Sequence, residues 1–210
     1  MGFLVAEQRG DQVLIEYHVD NNGRGPKWRE ALRLDASGRL PVAWSVEGVG
    51  GVGAPVRESY SWVRGEASWR TLNDEGVASA AAPPIYVASD ASPWALELSA
   101  RALMAAPGGR LEALPAGELR IERFGELTLG TERGTRKVVA YAMWGLGVTP
   151  EFVLLDPMGS LVATLGAFET VVLGEVVAAA DYGALLSELP VRTWSASRTA
   201  FGTASTSRCS

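Results

Sequence analysis

His18 is the only histidine in the 210-residue chain, and this limits the chemistry that the sequence can support. A metal-dependent hydrolase centre uses several histidine ligands, and a Ser-His-Asp triad would have to use His18. No Gly-x-Ser-x-Gly nucleophile elbow occurs in the chain. His18 lies in an alternating strand-like run, so we interpret it as a sheet-face histidine. The sequence therefore predicts no catalytic residue, no metal site and no cofactor.

Carboxylates are the remaining candidates for acid–base chemistry. Glu16, Glu30, Glu58 and Glu122 all fall on predicted strands, and a glycosidase-like pair among them stays an open alternative. Nothing in their spacing selects a pair. Our first interpretation is therefore that each of these glutamates lies on a solvent-exposed strand face. The stretch 48–53 has the form G-x-G-x-x-G, but a strand-like sequence follows it where a nucleotide site requires a helix.

Aromatic residues are the third group, since the chain has seven tryptophans. The first interpretation is core packing between a sheet and a helix. The second is an apolar concavity for a lipid-like or aromatic ligand. For that second interpretation the candidate ligand-binding residues are Trp44, Tyr60, Trp62, Trp69 and Trp94.

The elements that must position these residues are mostly strands. Residues 19–70 contain four runs of alternating apolar and polar residues, separated by glycine-rich turns, which is typical of an antiparallel meander. Arg64-Gly65 is predicted to be a two-residue hairpin turn. That turn would place Tyr60 opposite Trp69 and Trp62 opposite Ala67.

A helix is predicted over residues 93–105, with Ser92 as its N-cap and Pro93 at its first position. Further strands follow between residues 118 and 164. The overall prediction is a mainly β (α+β) protein of about ten strands, a curved antiparallel sheet or half-barrel around this helix, formed by residues 1–165. A second helix is predicted for residues 166–190 and a flexible tail for residues 191–210.

Composition excludes several classes of partner. The net charge is −5 and no run of basic residues is present, so no nucleic-acid partner is expected. No apolar stretch is long enough to span a bilayer. The sequence does not begin with a signal peptide, so we expect a cytoplasmic protein, or a periplasmic or secreted one if a signal has been removed.

Several short motifs occur along the chain, namely Val19–Lys27, Gly53–Arg57, Ser61-Trp62 with Ala67–Trp69, Pro107–Leu111 and Gly145–Pro150. Together they resemble a known β-rich segment, over roughly residues 10–165. That segment precedes the metal-dependent barrel in some bacterial secreted amidohydrolases of the imidazolonepropionase-like and prolidase-like group. A weaker likeness is to the half-barrels of lipoprotein carriers.

This resemblance implies an accessory region of a hydrolase rather than its catalytic machinery. The metal-binding histidines of that family belong to the barrel, and no position in this chain matches them. The leading expectation is a non-catalytic accessory or binding module that packs on a catalytic domain, on a second copy of itself or around an apolar ligand. The alternatives are a stand-alone carrier of a lipid or other hydrophobic ligand, and a hydrolase with an unlocated carboxylate site.

Overall fold

The first of two sheets is a seven-stranded antiparallel meander that curls into a half-barrel. The computed structural model describes residues 2–131, 134–165 and 170–172. Neighbouring strands in the first sheet are also consecutive in the chain. They are β1 (Gly2–Arg9), β2 (Gln12–Val19), β3 (Lys27–Leu34), β4 (Pro41–Val49), β5 (Pro55–Val63), β6 (Glu66–Arg70) and β7 (Glu75–Ser79).

The second sheet also has seven described strands, and it follows the first in the chain. A helix, α1 (Trp94–Ala105), and a short 3-10 turn separate its first two strands, which are the parallel pair. The strands are β8 (Ile85–Tyr86), β9 (Arg110–Leu114), β10 (Glu118–Thr131), β11 (Gly134–Trp144), β12 (Glu151–Leu155), β13 (Leu161–Leu165) and β14 (Thr170–Val172).

Apolar and polar residues alternate along the strands of the first sheet, so one face of the sheet is buried and the other is exposed to solvent. Val13, Ile15 and Leu32 point inward and are almost fully buried. The outer face carries a row of alternating charges in register across four strands, and within it Arg29 Nε lies 2.9 Å from Glu16 Oε1. The row is Glu16, Arg29, Glu47 and Arg57.

Two of the turns share one chemistry, which explains a sequence echo between Leu34–Leu40 and Leu155–Leu161. Asp35 and Asp156 each accept hydrogen bonds from backbone amides of the turn that follows. Gly38 and Gly159 have φ of 69° and 82°, a conformation that glycine adopts without strain. The echo reflects the same Asp-x-x-Gly turn at two strand–turn–strand corners.

Helix α1 lies between the two sheets and belongs to both cores. Trp94 and Leu98 pack in the cluster formed by the inner face of the half-barrel. Ala100 and Leu103 pack with residues of the second sheet, including Met143. The helix therefore joins two hydrophobic cores across its width.

The predicted fold class, a mainly β curved sheet around a helix, is confirmed. The hairpin register is also confirmed, because Tyr60 pairs with Trp69 and Trp62 pairs with Ala67. The predicted N-cap is wrong, since Pro93 caps the helix and no side chain bonds to its first turn. No helix in the described part of the chain has the length and apolarity of a transmembrane segment.

The strand count of about ten is too low, because the described residues form fourteen strands. Where the helix predicted for residues 166–190 overlaps the described part, the chain is extended instead, and Thr170–Val172 pairs with β13. The rest of that predicted helix and the predicted tail, residues 191–210, lie outside the described residues.

Candidate functional site

A cleft of about 430 Å³ opens where the half-barrel, the start of α1 and the second sheet meet. Its volume is within the usual range of roughly 300–1,000 Å³ for small-molecule sites. Aromatic side chains from the first sheet and from the segment before α1 form one wall. Residues that line the cleft include Tyr17, Trp28, Trp44, Tyr86, Ser89, Ala95, Leu96, Ser99, Leu146, Glu151 and Thr164.

Behind this aromatic wall lies Glu30, a buried carboxylate on the inner face of β3. One of its oxygens accepts the Ser92 amide at 2.6 Å and the Trp28 indole N–H at 3.3 Å, and the other accepts the Trp44 indole N–H at 3.1 Å. Burial raises the pKa of Glu30, in opposition to these hydrogen bonds. Both oxygens are therefore engaged by N–H donors.

A second buried carboxylate, Glu58, is in register with Glu30 through Val46 on the strand between them. Glu58 accepts the Tyr86 hydroxyl at 2.5 Å and the Ser89 amide at 3.0 and 3.1 Å. The two glutamates thus hold residues 86–92 against the inside of the half-barrel. A buried polar group is stable only when it is paired, and these backbone amides supply the pairing.

Tyr86 connects this carboxylate network to the aromatic core. Its ring stacks on Tyr60, with centroids 4.4 Å apart and an interplanar angle of 11°, and meets Trp44 edge to face at 6.3 Å. Burial raises the pKa of Tyr60 to about 12, and it also raises the pKa of Tyr86. Both phenols are therefore uncharged at neutral pH. Tyr86 acts as a packing and hydrogen-bonding group, whereas Tyr60 acts by packing, since its buried hydroxyl has no hydrogen-bond partner among the described residues.

The five predicted ligand-binding residues do not form one site. Trp44 lines the cleft, whereas Tyr60 and Trp94 are buried in the core of the half-barrel. Trp62 and Trp69 are half-buried, and their indole N–H groups donate to Ala80 O at 2.9 Å and to Asp74 Oδ2 at 3.0 Å. Tyr60 and Trp69 also line a separate cavity of about 530 Å³, and the lining of that cavity does not include Trp44, Trp62 or Trp94.

Sequence reasoning missed Tyr17, Trp28 and Tyr86 as cleft residues. Tyr17 and Trp28 already lay on the apolar side of predicted strands, which is the signal that would have found them. Tyr86 gave no such signal, because its strand is two residues long.

His18 lies on β2 on the same face as Glu16, the outer face, away from the cleft. Its ring meets the Phe3 ring edge to face at 5.5 Å. Within residues 2–131, 134–165 and 170–172, no three side chains of His, Cys, Asp or Glu come together as a metal site would require.

Glu97 connects α1 to the second sheet. Its Oε2 accepts the Leu161 amide at 3.1 Å, and its Oε1 lies 3.6 Å from Arg101 Nη1. Burial raises the pKa of Glu97, and the nearby Asp156 acts in the same direction, while the Leu161 amide and Arg101 oppose them. A raised pKa means that the folded state binds the proton more tightly than the unfolded state. The stability that Glu97 contributes is therefore complete below its unfolded pKa, near 4.5, and is lost as pH rises through the folded value.

We therefore expect Glu97→Gln to make the free energy of unfolding less dependent on pH above about 4.5. Glutamine keeps a carbonyl oxygen for the Leu161 amide but has no proton to lose. Urea unfolding midpoints between pH 4 and 7 measure the effect, with the exposed Glu112→Gln as the control. If the stability of Glu97→Gln fell as steeply with rising pH as that of the wild type, the proposed role of Glu97 would be wrong.

Comparison of the chain with protein-family models, with curated protein sequences and with solved structures gave no match.

Proposed function

We propose that this chain is a non-catalytic accessory or binding module, related to the β-rich N-terminal region of amidohydrolase-type proteins, that packs on a partner domain. The observation that carries the proposal is the exposed apolar edge of the half-barrel at β1. The buried carboxylates are consistent with it. Glu30 and Glu58 hold the protein's own backbone and are engaged in doing so.

The edge at β1 has the properties of a surface that a partner covers. Among the described strands, β1 pairs only with β2, and all of its residues except Leu4 are exposed. Phe3 and Val5 are each 49% exposed, and Leu14 on β2 is 58% exposed. The register places these three side chains on the same outer face.

An open strand edge presents unpaired N–H and C=O groups, so proteins usually protect it with charges, proline or a bulge. Residues 2–6 of β1 carry no charge and no proline, and the pairing of β1 with β2 is continuous. The occupant that we propose is a strand of a catalytic domain of the amidohydrolase type. It would extend the sheet and cover Phe3, Val5 and Leu14.

The test is a binding measurement between the purified chain and the barrel of an imidazolonepropionase-like amidohydrolase whose own β-rich region has been deleted. We expect a one-to-one complex in analytical ultracentrifugation. Val5→Lys should weaken it by about tenfold or more, because a charge would replace an apolar side chain at the interface. Val77→Lys is the matched control, since Val77 is 64% exposed on β7, the opposite edge of the same sheet.

No complex at tens of micromolar would overturn the proposal, and so would equal weakening by the two lysine variants. If the chain alone forms a dimer that Val5→Lys dissociates, the occupant of the edge is a second copy and not a catalytic domain.

The cleft favours a second candidate function, that of a carrier for a lipid or other hydrophobic ligand. Four aromatic side chains line it, and its volume suits a small apolar molecule. Binding of octanol, measured by titration calorimetry, would support this candidate, and its absence would remove the candidate.

A further inference from the structure

One serine in the lining of the cleft has a buried hydroxyl without a hydrogen-bond partner. Of the side chains in the described part of the chain that leave a buried polar atom unpartnered, Ser92 is the one that lines the cleft. The residue is only 2% exposed. Such a hydroxyl is unusual in a folded protein, because burial without a partner costs stability.

The fold does not use this hydroxyl. The amide of Ser92 donates to Glu30 Oε1 at 2.6 Å, and its carbonyl oxygen accepts the Ala95 amide at 2.9 Å. The first turn of α1 has no hydrogen bond from a capping side chain. The backbone of Ser92 is therefore held in place without help from its side chain.

The neighbouring carboxylate sets the polarity of the hydroxyl. Ser92 Oγ makes no hydrogen bond with any described residue, but the side chain lies close enough to Glu30 to oppose the rise that burial causes in the pKa of that carboxyl. A carboxylate attracts the proton of a nearby hydroxyl and leaves the oxygen lone pairs as acceptors. A group that pairs with Ser92 Oγ from the cleft must therefore be a hydrogen-bond donor.

The segment that carries Ser92 leaves room for such a pairing. Small side chains from the same segment, Ala88, Ala91 and Ala95, also line the cleft. A serine hydroxyl changes position by rotation about one bond, so it can turn toward a molecule in the cleft. An uncharged donor suits this setting, because removing an ion from water costs more than a hydrogen bond to a neutral oxygen returns.

We infer that the cleft binds an apolar alcohol, and that the hydroxyl of this ligand donates to Ser92 Oγ. The inference rests on the second candidate function, that of a carrier. It adds the polar group by which the ligand is recognised.

The stability of the ligand-free protein tests the first step. Ser92→Ala removes the buried hydroxyl but keeps the amide that donates to Glu30. We therefore expect the melting temperature of Ser92→Ala to be no lower than that of the wild type. A lower melting temperature would show that the hydroxyl serves the fold, and it would overturn the inference.

The binding test uses two isomers, 1-octanol and heptyl methyl ether, which contain the same atoms but differ in the hydroxyl donor. Titration calorimetry on the full chain gives both affinities for the wild type and for Ser92→Ala. We expect Ser92→Ala to lose about fivefold in affinity for octanol and to bind the ether as the wild type does. Ser99→Ala is the matched control, because Ser99 also lines the cleft but has no unpartnered buried oxygen, and it should change neither affinity.

A second pair of variants places the bound octanol in this cleft. Ser99→Phe puts a ring into the cleft and should abolish octanol binding. Met104→Phe lies at an exposed position of the same helix and should leave octanol binding unchanged.

The other outcomes overturn the inference in distinguishable ways. If octanol binds to the cleft but Ser92→Ala binds it equally well, or weakens the ether to the same extent, the carrier function stands and recognition through Ser92 is wrong. Equal weakening of octanol binding by Ser99→Ala has the same meaning. If neither probe binds the wild type, or if Ser99→Phe still binds octanol, both the carrier function and the inference fail.

Discussion

Glu30→Leu is expected to lower the free energy of unfolding by about 3–5 kcal/mol. The substitution removes the acceptor of three N–H donors, two of them indole groups and one the Ser92 amide. These donors would lose their partner inside the protein, and residues 86–92 would lose one of the two buried carboxylates that bind them to the half-barrel. Urea unfolding followed by circular dichroism measures the change.

Glu30→Gln separates hydrogen bonding from packing. It keeps the size of the side chain and one acceptor oxygen, but its NH₂ group faces N–H donors, so we expect an intermediate loss. Glu47→Leu is the control, because Glu47 is exposed on the neighbouring strand, and it should be nearly neutral. A Glu30→Leu protein as stable as Glu47→Leu would refute the proposed role of Glu30 in holding residues 86–92.

Gly48→Ala is also expected to have a large effect, lowering the free energy of unfolding by about 2–4 kcal/mol. A Cβ at this position would lie 2.1 Å from the carbonyl oxygen of Lys27 and 2.6 Å from Trp28 Cα. Both are backbone atoms of β3, so the steric clash can be relieved only if β3 and β4 move apart. Thermal unfolding of the purified variant measures the cost.

Gly125 provides the matched control for this prediction. It also lies within a strand, but a Cβ there would meet no atom within 4 Å. Gly125→Ala should therefore change the melting temperature little. Equal effects of the two substitutions would show that the close approach at Gly48 is not what requires glycine.

Much of the half-barrel was predictable, because its sequence repeats with the period of a strand. β2 to β6 alternate clearly, and the Arg64-Gly65 turn takes positive φ at both residues, as a tight hairpin requires. β1 was missed because residues 3–6 are a continuous apolar run without alternation. An edge strand that is exposed on both faces does not show the periodic signal.

The carboxylate network could be predicted only in part from the sequence. Glu30 is in phase with Leu32 and Leu34, which marks it as a charge on the buried side of its strand. Its main-chain partner, the Ser92 amide, lies 62 residues further along the chain. A contact between such distant positions depends on how the sheet curls, and local patterns do not specify that.

The order of the elements has a consequence for synthesis on the ribosome. β1 to β7 pair only with their neighbours in the chain, so this sheet can form as soon as its residues emerge. Its interior, however, is completed by Tyr86, Trp94 and Leu98, which are made afterwards. The nascent sheet therefore exposes apolar surface until α1 leaves the exit tunnel, and this is the interval in which a chaperone would have most to protect.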